Sequence, residues 1–205
     1  MSQAEEISAA AVKQLRELTG AGMMDCKRAL VESGGDVERA QEILRTKGLA
    51  GAEKRAGRHA SEGVVDAYIH GEGRIGVLVE VNSETDFVAR TEEFKRLARE
   101  VAMQVAARNP RWISRDDVPQ DVIDGERKIY QEQARSTGKP DNVVEQIVNG
   151  KLEAFFKEEV LLDQLYIRDD TGKQTIKDLV SGVAAQVGEN VVVRRFARYQ
   201  LGEQA

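Results

Sequence analysis

Gly71-Glu72-Gly73-Arg74-Ile75-Gly76 matches the G-x-G-x-x-G pattern of dinucleotide-binding loops, whose chemistry is a cradle of backbone amides holding phosphate at a helix N-terminus. Here the glycines leave one strand-like run, VVDAYIH, and enter another, RIGVLVEVN. The helix dipole that would hold phosphate is missing, and a hairpin turn is the expectation. Two adjacent carboxylate pairs, Asp116-Asp117 and Asp169-Asp170, are of the type that a small hydrolase uses for acid–base work. No nucleophile or base accompanies them, and adjacent carboxylates in turns are usually solvated caps. Cys26 is the only cysteine, and His59 and His70 lack zinc-ligand spacing, so neither a disulfide framework nor a metal site is expected. Cys26 reads as a small buried side chain. The expectation is a protein that is not an enzyme and carries neither cofactor nor metal.

A different stretch carries recognition chemistry. Ser-Glu-Thr-Asp-Phe-Val-Ala-Arg, residues 83–90, joins a strand-like run to a strongly periodic helix and sets a large ring, Phe87, where polar residues suffice. In one reading Asp86 complements a helix N-terminus while Phe87 or Val88 plugs the gap between sheet and helix; such junctions are common, and residue types alone favour it. In the other, Thr85-Asp86-Phe87-Val88 is an exposed tip that inserts Phe87 into a partner's pocket with Asp86 making polar contacts beside it, as aromatic anchors do in protein interfaces.

Charge and composition bear on the partner. The 205 residues are 41% apolar and 32% charged with a formal net charge of -5, which weighs against a broad polyanion-binding surface and points to a protein partner rather than nucleic acid. Lys54, Arg55 and Arg58 lie in a small, glycine-containing stretch without interleaved aromatics, the composition of a connector. No apolar run approaches the ~18 residues of a membrane span, and the start MSQAEEISAAA lacks a secretory pattern, so a cytoplasmic protein without membrane contact is expected.

The elements that must hold these residues follow from periodicity and punctuation. Ser8 caps a helix with Val12, Leu15 and Leu18 on one face; Met24–Ser33 forms a second; Asp36 caps a third, with Val37, Ala40, Ile43 and Leu44 inward, that Gly48 ends. The organisation predicted is a three-helix module over residues 1–50, a linker over 51–63 and a core domain over 64–205. Phe94, Leu97, Ala98, Val101, Ala102 and Val105 define an amphipathic helix, and Asn109-Pro110 ends it. Pro119 precedes another helix, Asn142-x-x-Glu145 resembles a capping box for a helix broken near Gly150, and Thr175-x-x-Asp178 caps the last, which Gly188 ends. VVVRRFARYQL is a strand that joins the hairpin as a third, making an α+β fold with a small three-stranded antiparallel sheet packed with helices. Trp112, near Pro110, has no role legible in the sequence.

VKQLRELTGAGMMDCKRAL (Val12 to Leu30), the TDFV tetrapeptide and VGENVVVRRFARYQLGE (Val187 to Glu203) together resemble bacterial elongation factor Ts, in its short form with a single core subdomain. The resemblance implies a guanine-nucleotide exchange factor for elongation factor Tu during translation elongation, with a ubiquitin-associated-like N-terminal module. It implies that Asp86 and Phe87, supported by Thr85 and followed by Val88, enter the GTPase near its magnesium and phosphate site. It further implies that Arg16, Met23, Met24 and Lys27 dock the N-terminal module on the partner, although one methionine is expected to fill the bundle core. The chain looks short of the second core subdomain and the helical hairpin of longer members, and a homodimer built around the sheet is expected in compensation. The competing reading is a protein-interaction adaptor, in which the three-helix module binds a partner and the α+β body scaffolds it.

Overall fold

In the computed structural model, which describes residues 7–203, the Ser8 hydroxyl accepts a hydrogen bond from the Ala11 amide at 3.1 Å and caps the first helix, α1 (Ala9–Thr19). Gly20 closes α1 at φ 67°, a left-handed conformation that glycine adopts without a Cβ clash. α2 (Met23–Ser33) ends the same way at Gly34, and Asp36 caps α3 (Val37–Arg55) by accepting from the Arg39 amide at 3.0 Å. Val12, Leu15, Cys26, Ala29, Leu30 and Ala40 are buried together, with Val37, Ile43 and Leu44 packed around them. Leu18 does not join them and is 58% exposed. Residues at i, i+3 and i+6 drift about 60° per step around a 3.6-residue helix, so the third of the set turns out of the buried stripe.

α3 does not stop at Gly48 but runs to Arg55, taking in the first residues of the segment read as a linker. Gly48 is a contact, not a terminator: a Cβ there would lie 2.9 Å from the Cβ of Ala185. Arg55 Nη2 donates to the Ala184 carbonyl at 3.1 Å, and these two contacts hold the last turns of α3. By its contacts the chain divides into two compact units. The first comprises the residues up to Gly63, Asn82–Phe94 and Val180–Val192; the second comprises Val64–Val81, Lys95–Leu179 and the residues from Val193 onward.

Strands β1 (Glu62–His70) and β2 (Ile75–Ser83) are joined through Gly71, Glu72 and Gly73, all at positive φ. The G-x-G-x-x-G stretch is therefore a hairpin turn, as its flanks suggested. A short helix, α4 (Asp86–Ala89), follows β2 and leads into α5 (Glu92–Arg108). On β2 the alternation is clean: Val77, Val79 and Val81 are buried and Leu78 is exposed. Leu97, Ala98, Val101, Ala102 and Val105 form the buried face of α5, and Arg99 stacks 5.0 Å above the Tyr68 ring of β1.

Residues 120–159 correct the expectation that a helical hairpin is lacking. α6 (Gln120–Arg135) and α7 (Asp141–Glu159) fold back on each other around Ala134, Val144, Val148 and Leu152. Neither the Asn142 capping box nor a break at Gly150 forms; Pro140 is the N-cap and α7 runs through the glycine. Burying Val144, Val148, Leu152 and Phe155 along one face outweighs the ~1 kcal/mol that a helical glycine costs. Trp112 packs at the base of this hairpin, 6.0 Å from the Phe155 ring and beneath the Arg111 guanidinium.

α8 (Ile176–Val187) begins with the expected box, Asp178 accepting from the Thr175 amide at 3.0 Å and Thr175 accepting from the Asp178 amide at 3.1 Å. β3 (Val192–Gln200) then completes a three-stranded antiparallel sheet in the order β1-β2-β3. One face of the sheet leaves Val65, Ile69, Leu78 and Tyr199 exposed.

Candidate functional site

The Thr85-Asp86-Phe87-Val88 tetrapeptide is a single tight turn of helix with opposite fates for its two apolar side chains. Thr85 is the N-cap of α4, in an extended conformation, and its hydroxyl accepts from the Val88 amide at 3.4 Å. Val88 is buried at 6% exposure, whereas Phe87 stands 78% exposed. Val88 is thus the plug that the junction requires, and Phe87 takes no part in it. Asp86 pairs with Arg90 one turn on, its carboxylate accepting from Nη2 at 2.6 Å on a solvent-exposed edge. The next helix is started by Thr91, whose hydroxyl accepts from the Phe94 amide at 3.3 Å.

What holds this turn is a loop 105 residues further along. The Glu189 carboxylate accepts from the amides of Glu84 and Thr85 at 3.1 and 3.0 Å and from the Thr85 hydroxyl at 2.7 Å. Glu84 reciprocates by accepting from the Asn190 amide at 2.6 Å. The Asn190 side chain donates to the carbonyls of Ala56 at 3.2 Å and Arg58 at 2.7 Å, and Asn82 donates to Ala60 at 3.2 Å. Ser83, fully buried, donates to the Thr85 carbonyl at 2.9 Å. Carboxylates accepting from backbone amides are among the stronger hydrogen bonds in proteins, so the base of the turn is stiff while the ring at its apex is free.

Arg16, Met23, Met24 and Lys27 lie in the same compact unit, and all four are exposed. Met23 is 49% and Met24 62% exposed, so neither fills the bundle core as expected; Leu15 and Cys26, both fully buried, occupy it. Leu18 and Val31, exposed beside them in sequence on α1 and α2, add apolar area. Met24, Lys27 and Val31 recur at i, i+3 and i+7, which is one helical face. Sequence reading missed Leu18 by assigning it inward and passed over Val31; the i, i+7 spacing from Met24 was the available signal.

One carboxylate of each adjacent pair has structural employment. Asp117 caps Ser114, accepting from its amide at 2.8 Å and its hydroxyl at 2.7 Å. Asp169 accepts from the amides of Gln174 and Lys173 and from the hydroxyl and amide of Thr171, and these hydrogen bonds pull its carboxyl down to about 2. Among the described residues no group of three or more His, Cys, Asp or Glu comes together to hold a metal ion. No helix among them is long and apolar enough to cross a membrane.

The chain's likeness to known proteins is extensive. Residues 52–203 match the family described as Elongation factor TS. The protein named Elongation factor Ts from Caldanaerobacter subterraneus subsp. tengcongensis is 61% identical over 197 residues, which cover 96% of this chain and 98% of that one. The proteins of the same name from Coprothermobacter proteolyticus and Fervidobacterium nodosum are 57% and 54% identical over 198 residues, 97% of this chain and all of each relative.

Proposed function

Because the chain belongs to the bacterial elongation factor Ts family and is a translation elongation factor, we propose that it acts as the guanine-nucleotide exchange factor of elongation factor Tu, with Phe87 as the group that opens the nucleotide site. The observation that carries this reading is the 78% exposure of Phe87 on a turn whose every other apolar residue is buried. Free in solution, such a ring costs hydration free energy and contributes little to its own fold. It fits a wedge that enters the GTPase beside the magnesium and phosphate site, with Thr85 capping the turn and Asp86 making polar contacts. Displacing the groups that hold magnesium removes compensation for the phosphate charge, and nucleotide affinity falls.

The exposed methionines and their charged neighbours supply a second foothold. Met23 and Met24 offer flexible apolar area, and Arg16 and Lys27 flank them with positive charge, a composition suited to an apolar, partly acidic patch on the nucleotide-binding domain. Exchange then requires no bond to be made or broken and no cofactor. The factor binds nucleotide-free elongation factor Tu more tightly than the nucleotide-bound form, and by reciprocity nucleotide weakens the factor's own binding to the same extent. The reaction belongs to the cytoplasm, where translation factors work.

The open face of the sheet supports the homodimer. Val65, Ile69, Leu78 and Tyr199 are exposed together on β1, β2 and β3, and a second copy of the same face would cover them. Light scattering that returns the mass of a single chain at working concentrations would remove this part of the proposal.

The exchange reading is tested by release of a fluorescent GDP analogue from the cognate elongation factor Tu, with wild-type protein and with Phe87→Ala. Acceleration by the wild type that Phe87→Ala reduces at least tenfold is expected, since truncating a buried aromatic anchor typically costs ~2 kcal/mol or more. Acceleration unchanged by Phe87→Ala removes the wedge and leaves the exchange function; no acceleration by either protein removes both.

A further inference from the structure

We propose that Glu189 is a positioning residue for exchange, acting through the Thr85–Val88 turn; this rests on the reading of Phe87 as the wedge. The turn has only one residue of side-chain capping of its own, the 3.4 Å contact from the Val88 amide to Thr85, which is a long hydrogen bond. Ser83 donates to the Thr85 carbonyl at 2.9 Å, but the amides at the leading edge are held by a single carboxylate. Glu189 gathers two consecutive amides and a hydroxyl, those of Glu84 and Thr85, at 2.7 to 3.1 Å. These donors lie two and three residues before Phe87, so the carboxylate sets the direction in which the turn carrying the ring leaves the body of the protein.

The arrangement is a reciprocal clamp. Glu189 accepts from the amides of residues 84 and 85, and Glu84 accepts from the amide of residue 190. Two loops distant in sequence thereby cap each other, and Arg58, 3.5 Å from Glu84, offsets part of the charge of the facing carboxylates. A loop that must insert an exposed ring into a partner gains from being ordered beforehand, because ordering it on binding subtracts from the free energy available for opening the nucleotide site. Glu189 touches neither nucleotide nor magnesium in this scheme; its effect reaches the partner only through Phe87.

The experiment measures GDP release from elongation factor Tu as a function of factor concentration for wild type, Glu189→Ala, Glu189→Gln, Phe87→Ala and the double variant Phe87→Ala/Glu189→Ala. Removing an acceptor that serves three donors should lower the maximal exchange rate about tenfold in Glu189→Ala. Half-saturation should stay within about twofold, since the exposed α1–α2 surface is untouched. Glu189→Gln, which keeps one accepting oxygen, falls between wild type and alanine. A fold defect would act oppositely, diluting the active protein and shifting half-saturation while leaving the maximum intact.

In the Phe87→Ala background, Glu189→Ala should add less than about a twofold further loss, because residues acting through one another are not additive. Full additivity, or a wild-type maximum for Glu189→Ala beside a defective Phe87→Ala, overturns the inference while sparing the wedge. An unaffected Phe87→Ala overturns the wedge and the inference with it. A partner-free readout closes the test: amide hydrogen exchange at Glu84 and Thr85 must quicken in Glu189→Ala, and unchanged protection there refutes the clamp.

Discussion

Shortening Phe87 and shortening Val88, neighbours in one turn of helix, should separate activity from stability. Full burial of a phenylalanine side chain is worth about 1.5–3 kcal/mol. At 78% exposure only about a fifth of Phe87 is covered, so Phe87→Ala forfeits about 0.3–0.6 kcal/mol. Val88 is 6% exposed, and Val88→Ala removes two buried methyl groups at about 0.8 kcal/mol each plus a share of cavity cost, about 1.5–2.5 kcal/mol in all. Urea unfolding followed by circular dichroism reads both, with an unchanged slope confirming that the denatured state is the same. Phe87→Ala is expected to keep its midpoint and lose exchange, and Val88→Ala to lower its midpoint and keep most of its exchange at temperatures where it is folded. A loss above about 1.5 kcal/mol for Phe87→Ala would mean that the ring is packed in the native state, and the argument for an anchor held ready for a partner would fail.

Tyr130 and Tyr166, two of the four tyrosines, titrate late in alkali: both are pushed up to about 12, chiefly by burial and then by hydrogen bonds to Glu126 and Glu100 respectively. A folded value above the unfolded one means that their contribution is whole below pH ~10 and lost as pH rises through about 12, so Tyr166→Phe should halve the late phenolate absorbance step; a full step would refute the Tyr166–Glu100 bond. Gly48→Leu should destabilise by about 1–3 kcal/mol through collision with Ala185, measured by thermal unfolding, and Ala185→Gly should restore part of the loss; no rescue would place the strain elsewhere. Arg115 bridges Glu153 and Asp163 on a surface where it is itself 43% exposed, so Arg115→Ala should cost about 1 kcal/mol or less. Its hydrogen bond holds Glu153 below the usual carboxylate range, which adds stability present above the unfolded carboxylate value near pH ~4.3 and lost as pH falls beneath it; Arg115→Ala should flatten that acid limb in urea titrations at pH 3 to 5.

Local chemistry made much of this fold legible. Ser8, Gly20, Asp36, Asn109-Pro110 and the Thr175/Asp178 box mark helix ends that depend on one or two neighbours, and each lies where its residue type requires. Legibility failed where a distant partner decides. Gly48 reads as a stop in isolation, and only Ala185, far along the chain, reveals it as a site of close approach. Gly150 and the Asn142 box were overridden by an apolar face buried against α6, which no window around either residue contains. At the tip the sequence marked a junction between strand and helix but not the division of labour between Phe87, exposed, and Val88, buried, since both types suit a plug. Glu189 carries no local signal at all; its three donors lie more than a hundred residues away.

That separation sets a timetable for synthesis. Thr85-Asp86-Phe87-Val88 leaves the ribosome while Glu189 is still to be added, and at ~5–20 residues per second the carboxylate follows on the order of 5–20 s later. Through that interval the bundle of α1, α2 and α3 has its buried core, drawn from residues 12 to 40, while the Thr85–Val88 turn still lacks the Glu189 carboxylate. Nascent chains arrested on either side of residue 189 should accordingly differ in amide protection at residues 84 and 85. On the proposed reading, a growing copy would gain the exposed surface of α1 and α2 before its turn is clamped, and the clamp would close as a single late event when residues 189 and 190 reach residues 84 and 85.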